Sequence, residues 1–579
     1  SCGHQHCIGS IDEMNTLKTE DSPTPKELHR PYVDDVKLCC TAEGCNGEMV
    51  REPYVMDCWF DSGCASFAQW HYPFENKEKF ENSFPVDYIC EAVDQTRGWF
   101  YSLLAVSTTV FDDISYRRCL SLGHILDNEG KKMSKSRGNV VNPWDHFNKE
   151  GTDAIRWYMT SQSAPWNPMN FDPNGVRETY AKMFLTLWNV HKFHLDYAIL
   201  DNFDYSKDFI PVSKRSALDR WILSRVSSVA ENYHGQYLTW EFHKAARELE
   251  NFVINDLSNW YVRRSRRRLW DEAESHDKRA CQFTLHEILL TVSKLMAPIA
   301  PFMPDKIHFD LTGTSVHTAD WPLGSDLVDK NLPPQDLELE KEMSIVRMLA
   351  ETGRKIRVEA KRRQRLPCKE GWIVGGPDLR EFHSIIAEEL NVENLTTENN
   401  LDRFQKIEVL PNHKVLGAKC RADLPKVLSE LSQSDPDLLL SDIEKGTAKL
   451  AGFAITSEDI NIKRVEKEGY AASTFEVEET GDISLVLDVE ITDDLVSKGL
   501  AREITRRIQS KRKELDLDIE ASISLKVWLE QDSPKLNEDD WQYIISETRS
   551  KPSELIIGNP EKDLDNFQVE NNKIYFKVN

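Results

Sequence analysis

Lys132-Met133-Ser134-Lys135-Ser136 places two ammonium groups and two hydroxyls within five residues, and Arg137-Gly138-Asn139 follows. The segment is too polar and too cationic to be core. Its chemistry is that of an anion receptor, with point charges and rotatable donors. Gly130 and Gly138 let the backbone bend at either end. The apolar run Leu120 to Leu126 before it has strand length. After it, Asn142-Pro143 reads as a turn and Asp153 to Met159 as a helix. A basic loop at the end of a strand, in an α/β context, is where such sheets bind nucleotide phosphates. A lone Lys-x-x-Lys is usually a solvated surface loop, but here hydroxyls, an arginine and glycines are added at close spacing.

Three further groups could do chemistry. Glu91, Asp94 and Gln95 lie between strand-like Pro85 to Cys90 and a helical spacing of Trp99, Phe100, Leu103, Leu104 and Val106. Carboxylates at a strand end can take ribose hydroxyls or an amino group, and a helix N-terminus favours anions. Ordinary capping by Asp94 is the plainer alternative. Trp59, in Asp57-Cys58-Trp59-Phe60-Asp61-Ser62-Gly63, adds an aromatic face beside acids. Farther on, Arg263, Arg264, Arg266, Arg267 and Arg268 put five arginines in six positions, flanked by Trp260, Tyr261 and Trp270. Arginine forks bind phosphate and aromatics stack on unpaired bases. A solvated helix end paired with Asp271, Glu272 and Glu274 is the other reading. Finally, Cys2-Gly3-His4 reads as the second half of a Cys-x-x-Cys knuckle whose first half is expected before Ser1, and Cys40 and Cys45 as the opposing pair, at irregular spacing. Zinc would take them in a tetrahedron, against free thiols in a loop-rich segment.

The elements that must carry these groups divide the 579 residues into several domains. Residues 217–311 read as a helical bundle, with Leu218, Trp221, Ile222, Val226 and Val229 on one helix. Phe242, Ala245, Ala246, Leu249, Phe252 and Val253 mark a second, which runs on into the arginines, and Leu285 to Met296 a third. A proline- and aspartate-bearing linker covers 312–340. A second basic helix is expected from Ile345 to Arg365. Strand-like pieces then follow, with a helix at Leu500 to Ile508. The net charge is −24, which speaks to solubility and long-range field and not to local basic patches. The 12 cysteines are scattered apart from the first few, which fits a reduced, cytoplasmic setting. No run is apolar enough to cross a membrane and no signal peptide is evident.

Lys132 to Ser136 resembles the KMSKS signature of class I aminoacyl-tRNA synthetases. Taken with Trp59-Phe60-Asp61-Ser62-Gly63 and Asp94-Gln95-Thr96-Arg97-Gly98-Trp99-Phe100, in that order, the chain resembles the isoleucyl-tRNA synthetases. Two departures are visible: Glu91-Ala92-Val93 stands where that family more often has Glu-Gly, and Leu122-Gly123 where it usually has His-Gly. The resemblance implies a multidomain α/β fold. Residues 1–50 would be the end of an insertion with a zinc ribbon. Residues 51–170 would be the second half of a Rossmann-type catalytic domain, 171–325 a helical anticodon-binding domain, and 341–579 a small α+β region that touches tRNA.

The resemblance also implies roles. Lys132, Ser134, Lys135 and Ser136 would bind ATP, brought in with Mg2+, and Lys132 and Lys135 would stabilise the transferring phosphate. Glu91, Asp94, Gln95 and Trp59 would bind the aminoacyl-adenylate, with Asp94 holding the turn. Trp260, Arg263, Arg264 and Arg267 would contact tRNA. Cys2, Cys40 and Cys45 would hold Zn2+. The partners would be isoleucine, ATP and tRNA(Ile), the protein a cytoplasmic monomer, and the reaction amino-acid activation followed by transfer to tRNA. A His-x-Gly-His-type motif is not in place, so half of an active site and an editing domain are expected upstream of Ser1, and the chain alone is expected to be inactive. Two alternatives stay open: a valyl or leucyl sister enzyme, and a non-catalytic tRNA-binding protein.

Overall fold

The computed structural model describes residues 2–270, 275–322, 335–518, 521–531, 533–558, 560, 564–569 and 572–578. Residues 323–334 of the expected linker, and the acids Asp271, Glu272 and Glu274, lie outside the described residues. The chain divides into two compact units, one of Ser1–Asp196, Val229–Val262 and Leu289–Asp329, the other of Tyr197–Ser228, Arg263–Ile288 and Lys330–Asn579. No helix among the described residues is long and apolar enough to cross a membrane.

In the first unit a parallel strand pair carries the acidic turn. Strand Ile89–Ala92 pairs with Cys119–Leu122, and helix Trp99–Phe111 connects them. Parallel strands need such a crossover. Ile89, Phe100 and Leu103 are buried together beneath it. Strand Ile89–Ala92 begins four residues later than the Pro85 start expected from sequence; Val86 makes only an isolated bridge to Tyr116. The helix ends at Asp112, in the left-handed region, whose N–H bonds Thr108 O at 3.1 Å.

The run Leu120 to Leu126 is not one strand. It is broken into Cys119–Leu122 and Ile125–Leu126, and the second piece pairs with Met169–Asn170. The break falls at Gly123, whose N–H donates to Pro165 O at 2.9 Å. A Cβ on Gly123 would collide with the Asn167 carbonyl and lie 2.6 Å from Pro168 N. Only glycine lets those two backbones cross so closely. Gly123→Ala is therefore expected to destabilise this unit by about 1–3 kcal/mol, the usual result of forced overpacking against backbone. A urea-unfolding midpoint equal to that of the parent protein would contradict this.

Helices brace the strand pair from behind. Asp153 is buried, and its carboxylate accepts from Met303 N at 2.7 Å and Phe302 N at 3.2 Å, the start of helix Met303–Thr312. Arg156 Nε donates to Ile299 O at 2.6 Å, and Trp157 Nε1 to Glu250 Oε2 at 3.0 Å. Tyr88 stacks on Trp240 with centroids 4.2 Å apart. The helical segments therefore fix the helix Thr152–Ser161 that follows the loop, as well as the strand that leads to the acidic turn.

The second unit holds two four-stranded sheets. One has the order Tyr470–Val477, Gly481–Asp488, Cys368–Val374, Val392–Glu398; the other Ser550–Ile557, Ile523–Leu529, Asn572–Val578, Asp565–Val569. Each mixes parallel and antiparallel pairs, in keeping with an α+β reading. Helix Asp493–Glu514 packs Leu500, Ile504 and Ile508 against Leu525, Val527 and Phe576. The expected basic helix differs from the observed one. It spans Leu337–Glu359, and Lys361 turns into the left-handed region at φ 55. Buried Arg357 sets that end, because its guanidinium grips the carbonyls of Arg363, Leu366, Leu390 and Asn391 at 2.7–3.2 Å. Lys361 to Arg365 are thus held in a loop.

Candidate nucleotide-binding site

The basic loop and the acidic turn both leave the C-terminal ends of strands in the first unit, the face where open α/β sheets bind ligands. Leu126 bridges back to Lys132, closing a tight turn. Asp127 Oδ1 accepts from the backbone of Glu129 at 3.0 Å and of Lys131 at 2.8 Å. Its other oxygen takes Asn139 Nδ2 at 2.7 Å. Asn139 also accepts from Ser134 N at 2.9 Å and donates to Lys132 O at 3.3 Å. One side chain thus ties Lys132 and Ser134, the first and middle residues of the segment, to the strand end. Asn139's amide and the Lys131 N–H hold the Asp127 carboxyl below its usual range, so the brace is charged at neutral pH. A depressed carboxyl contributes fully above its ordinary range, and its contribution fades as pH falls through its native value.

The cations divide by role. Lys131 Nζ is spent on Glu129 at 2.7 Å. Lys132 and Lys135 are exposed, and among the described residues neither ammonium is paired. Lys135 opens a short 3-10 turn, Lys135–Arg137, closed by Gly138 at φ 68. Ser134 and Ser136 hydroxyls lie 3.2 Å apart. Two cations and two hydroxyls therefore face solvent from a braced backbone, able to meet a polyphosphate without first breaking ion pairs.

The acidic turn is a 3-10 segment, Val93–Arg97, running into helix Trp99–Phe111. Its cap is Gln95, whose Oε1 accepts from Trp99 N at 2.9 Å, while Gln95 Nε2 donates to Asp94 at 3.2 Å. Asp94 therefore holds the turn through Gln95, and plain capping by Asp94 is not what forms. Glu91 is exposed on its strand opposite Ser121. Trp59 sits on helix Cys58–Gly63, 40% exposed, with its ring against Gly98. Trp99 Nε1 donates to Ser62 O at 3.0 Å, and a Cβ on Gly63 would meet Ser102 O at 2.8 Å. Trp59, Gln95 and Gly98 are thereby brought together, and Glu91 lies just before them on the strand.

The arginine stretch is placed differently. Helix Arg263–Trp270 belongs to the second unit. Arg264 is turned inward, its side chain 5% exposed, paired with Glu389, and Arg263 reaches the same carboxylate at 2.7 Å. Arg267 bonds Glu547 at 2.7 Å yet stays 73% exposed, and Arg268 bonds Asp219 at 2.7 Å. Trp260, in the first unit, is 6% exposed. The open base-stacking face expected of Trp260 and the free phosphate fork expected of Arg264 are therefore not presented. Burial takes the one and long-range partners the other, and their periodicity gives no sign of it.

The three cysteines lie together. Cys2, Cys40 and Cys45 bring their thiols within 4.8 Å of one another, Cys2 and Cys40 at 3.5 Å. Cys40 and Cys45 flank the tip of the hairpin Lys37–Cys39 and Glu48–Val50. The His4 backbone, then Cys45 and Cys40, lower the Cys2 thiol toward the thiolate.

Residues 2–172 match the family described as tRNA synthetases class I (I, L, M and V), and 219–371 the anticodon-binding domain of tRNA ligase. This chain belongs to the class I tRNA synthetases. It is similar to an isoleucine–tRNA ligase 2 of Bacillus cereus, 39% identical over 535 residues, 91% of this chain and 50% of that protein. It is also similar to the isoleucine–tRNA ligase of Clostridium acetobutylicum, 40% identical over 539 residues and again 91% and 50% of the two. The chain spans about half the length of these curated relatives. A ternary complex of Agrobacterium radiobacter LeuRS with tRNA and LeuAMS is similar at a TM-score of 0.41 and 18% identity, over 52% of this chain and 36% of that one. Sequence reasoning misses Asn139; an amide directly after a left-handed glycine is the available signal.

Proposed function

We propose that the full-length polypeptide containing this chain activates isoleucine with ATP and transfers it to tRNA(Ile). The observation that carries this reading is the loop at 132–136, with two solvent-facing ammonium groups held on an Asp127–Asn139 brace. Similarity to isoleucine–tRNA ligases over 91% of the chain supports the choice of amino acid. In the first step the isoleucine carboxylate attacks the α-phosphate of ATP, which enters with Mg2+, and pyrophosphate leaves. No covalent enzyme intermediate is needed, so positioning and charge stabilisation supply the rate. Lys135 and Lys132 would meet the triphosphate, with Ser134 and Ser136 as donors. Glu91, Gln95 and Trp59 would hold the aminoacyl-adenylate, with Asp94 steadying Gln95. Of Trp260, Arg263, Arg264 and Arg267, exposed Arg263 and Arg267 would be the ones to meet tRNA, alongside exposed Arg266. A cytoplasmic monomer fits the reading. Charging of tRNA with labelled isoleucine by the full-length gene product tests it: isoleucyl-tRNA is the expected product. Retained tRNA binding with no charging would favour a non-catalytic tRNA-binding protein.

Zinc at Cys2, Cys40 and Cys45 belongs to the same reading. Zinc–sulfur bonds of about 2.3 Å suit sulfurs this close, and the three thiols would supply three of the four ligands of a tetrahedral site that braces the hairpin. Co2+ added to the zinc-free protein is expected to give thiolate charge-transfer absorption that Cys40→Ser abolishes. Equal spectra from the two proteins would remove the site.

A further inference from the structure

A cavity of about 670 Å³ opens in the second unit between the loop 361–366, the helix Asp493–Glu514 and the strand Asp565–Val569. In a chain of net charge −24, five lining residues, Lys361, Arg362, Arg363, Arg365 and Arg507, are cationic, and among the described residues of the lining Glu503 is the one carboxylate. Glu503 is already shared: it pairs with Arg365, takes Arg506 at 2.7 Å and takes Arg507 Nε at 3.0 Å. It neutralises part of the charge and aims two guanidinium groups. The side chains of Arg365 and Arg507 remain 51% and 41% exposed.

The site is built, not merely charged. Arg357, 1% exposed, donates to the carbonyls of Arg363 at 3.2 Å and Leu366 at 2.7 Å, which fixes the loop backbone. Arg362 Nε is anchored on Val489 O at 2.7 Å. Gly499 lets the loop sit on the helix, since a Cβ there would lie 3.2 Å from Leu366 Cδ1. The same lining has an apolar part made of Leu366, Ile491, Val496, Leu500 and Val569, with Ile491 47% exposed.

Cations exclude a metal ion. Guanidinium forks match phosphate bidentately, and an apolar wall alongside suits a flat ring better than a second carboxylate. A volume of this size holds one small organic group. We propose that this cavity binds one unpaired, phosphate-bearing nucleotide, its phosphate on Arg365 and Arg507 and its base on the wall formed by Leu366, Ile491 and Val569. The proposal rests on the tRNA reading above only for RNA as the source of that nucleotide; a free nucleotide has the same chemistry.

Fluorescence anisotropy of a labelled hexauridylate with the full chain tests this, with UMP and hexaglutamate as competitors. Arg365→Glu with Arg507→Glu is expected to weaken hexauridylate binding by about tenfold or more, and to lower the slope of log affinity against log salt by about 0.7 for each phosphate no longer neutralised. Because that pair also disturbs Glu503, Ile491→Glu serves as a second variant: it is surface-placed, breaks no ion pair, and is expected to weaken binding by a similar factor. Displacement by UMP at concentrations near those of RNA would mark a free-nucleotide site, and displacement by RNA alone an RNA-strand site; both support the proposal. Unchanged affinity in both variants, or displacement by hexaglutamate and not by nucleotides, would overturn it. Isoleucine-dependent exchange is read in parallel on the unaltered full-length product: exchange without hexauridylate binding overturns this proposal alone, and binding without exchange overturns the activity reading alone.

Discussion

Lys135→Ala in the full-length product is expected to lower isoleucine-dependent ATP–pyrophosphate exchange by about 10²–10³-fold, the cost of one preorganised donor to a developing oxyanion. That equals roughly 3–4 kcal/mol of transition-state stabilisation. Lys135 is exposed on a turn closed by Gly138, and its ammonium has no partner to lose among the described residues. The loss should therefore fall on rate with stability unchanged. Lys131→Ala is the internal comparison. Lys131 is spent on Glu129 at 2.7 Å, and its removal should leave exchange almost intact. Exchange rates with matched circular dichroism decide; equal effects at Lys131 and Lys135 would mean that bulk charge is at work, and not a positioned donor.

Glu389→Ala is expected to destabilise the second unit by about 3–5 kcal/mol, as for breaking one side of a buried ion pair. Glu389 is 8% exposed and receives Arg264, Arg263 at 2.7 Å and Arg354 at 3.3 Å. Its loss removes the nearer of two carboxylates from Arg264, whose side chain is 5% exposed, and leaves it Glu388 at 3.9 Å. Burial pushes the Glu389 carboxyl up, but Arg264 and Arg263 outweigh it and hold it below its usual value. A depressed carboxyl stabilises above its ordinary range, and that contribution is lost as pH falls through its native value. Urea unfolding at neutral and acidic pH should therefore show the gap between parent and Glu389→Ala shrinking on acidification. A gap that is constant with pH, or absent, would contradict this.

The chemistry is more legible in the sequence than the packing. The loop at 132–136 and the strand–turn–helix from 89 to 111 are local features, and each is read from neighbouring residues. The Asp127–Asn139 brace spans 12 positions, so only the fold joins its ends. The break at Gly123 depends on the backbone of Asn167 and Pro168, which no periodicity before it foretells. Trp260 and Arg264 read as nucleic-acid contacts because aromatics flank a run of arginines there. Burial of Trp260 and the carboxylate of Glu389, supplied by a distant helix, turn that composition to structural use. The basic helix looks longer in sequence than it is because Lys361 to Arg365 continue its composition. Arg357's grip on loop carbonyls ends the helix first.

Isoleucine-dependent ATP–pyrophosphate exchange on the full-length product, run beside valine and leucine, tests the central claim most directly. Exchange with isoleucine well above exchange with either competitor is the predicted result. A preference for valine or leucine, or no exchange with any of the three, would contradict it.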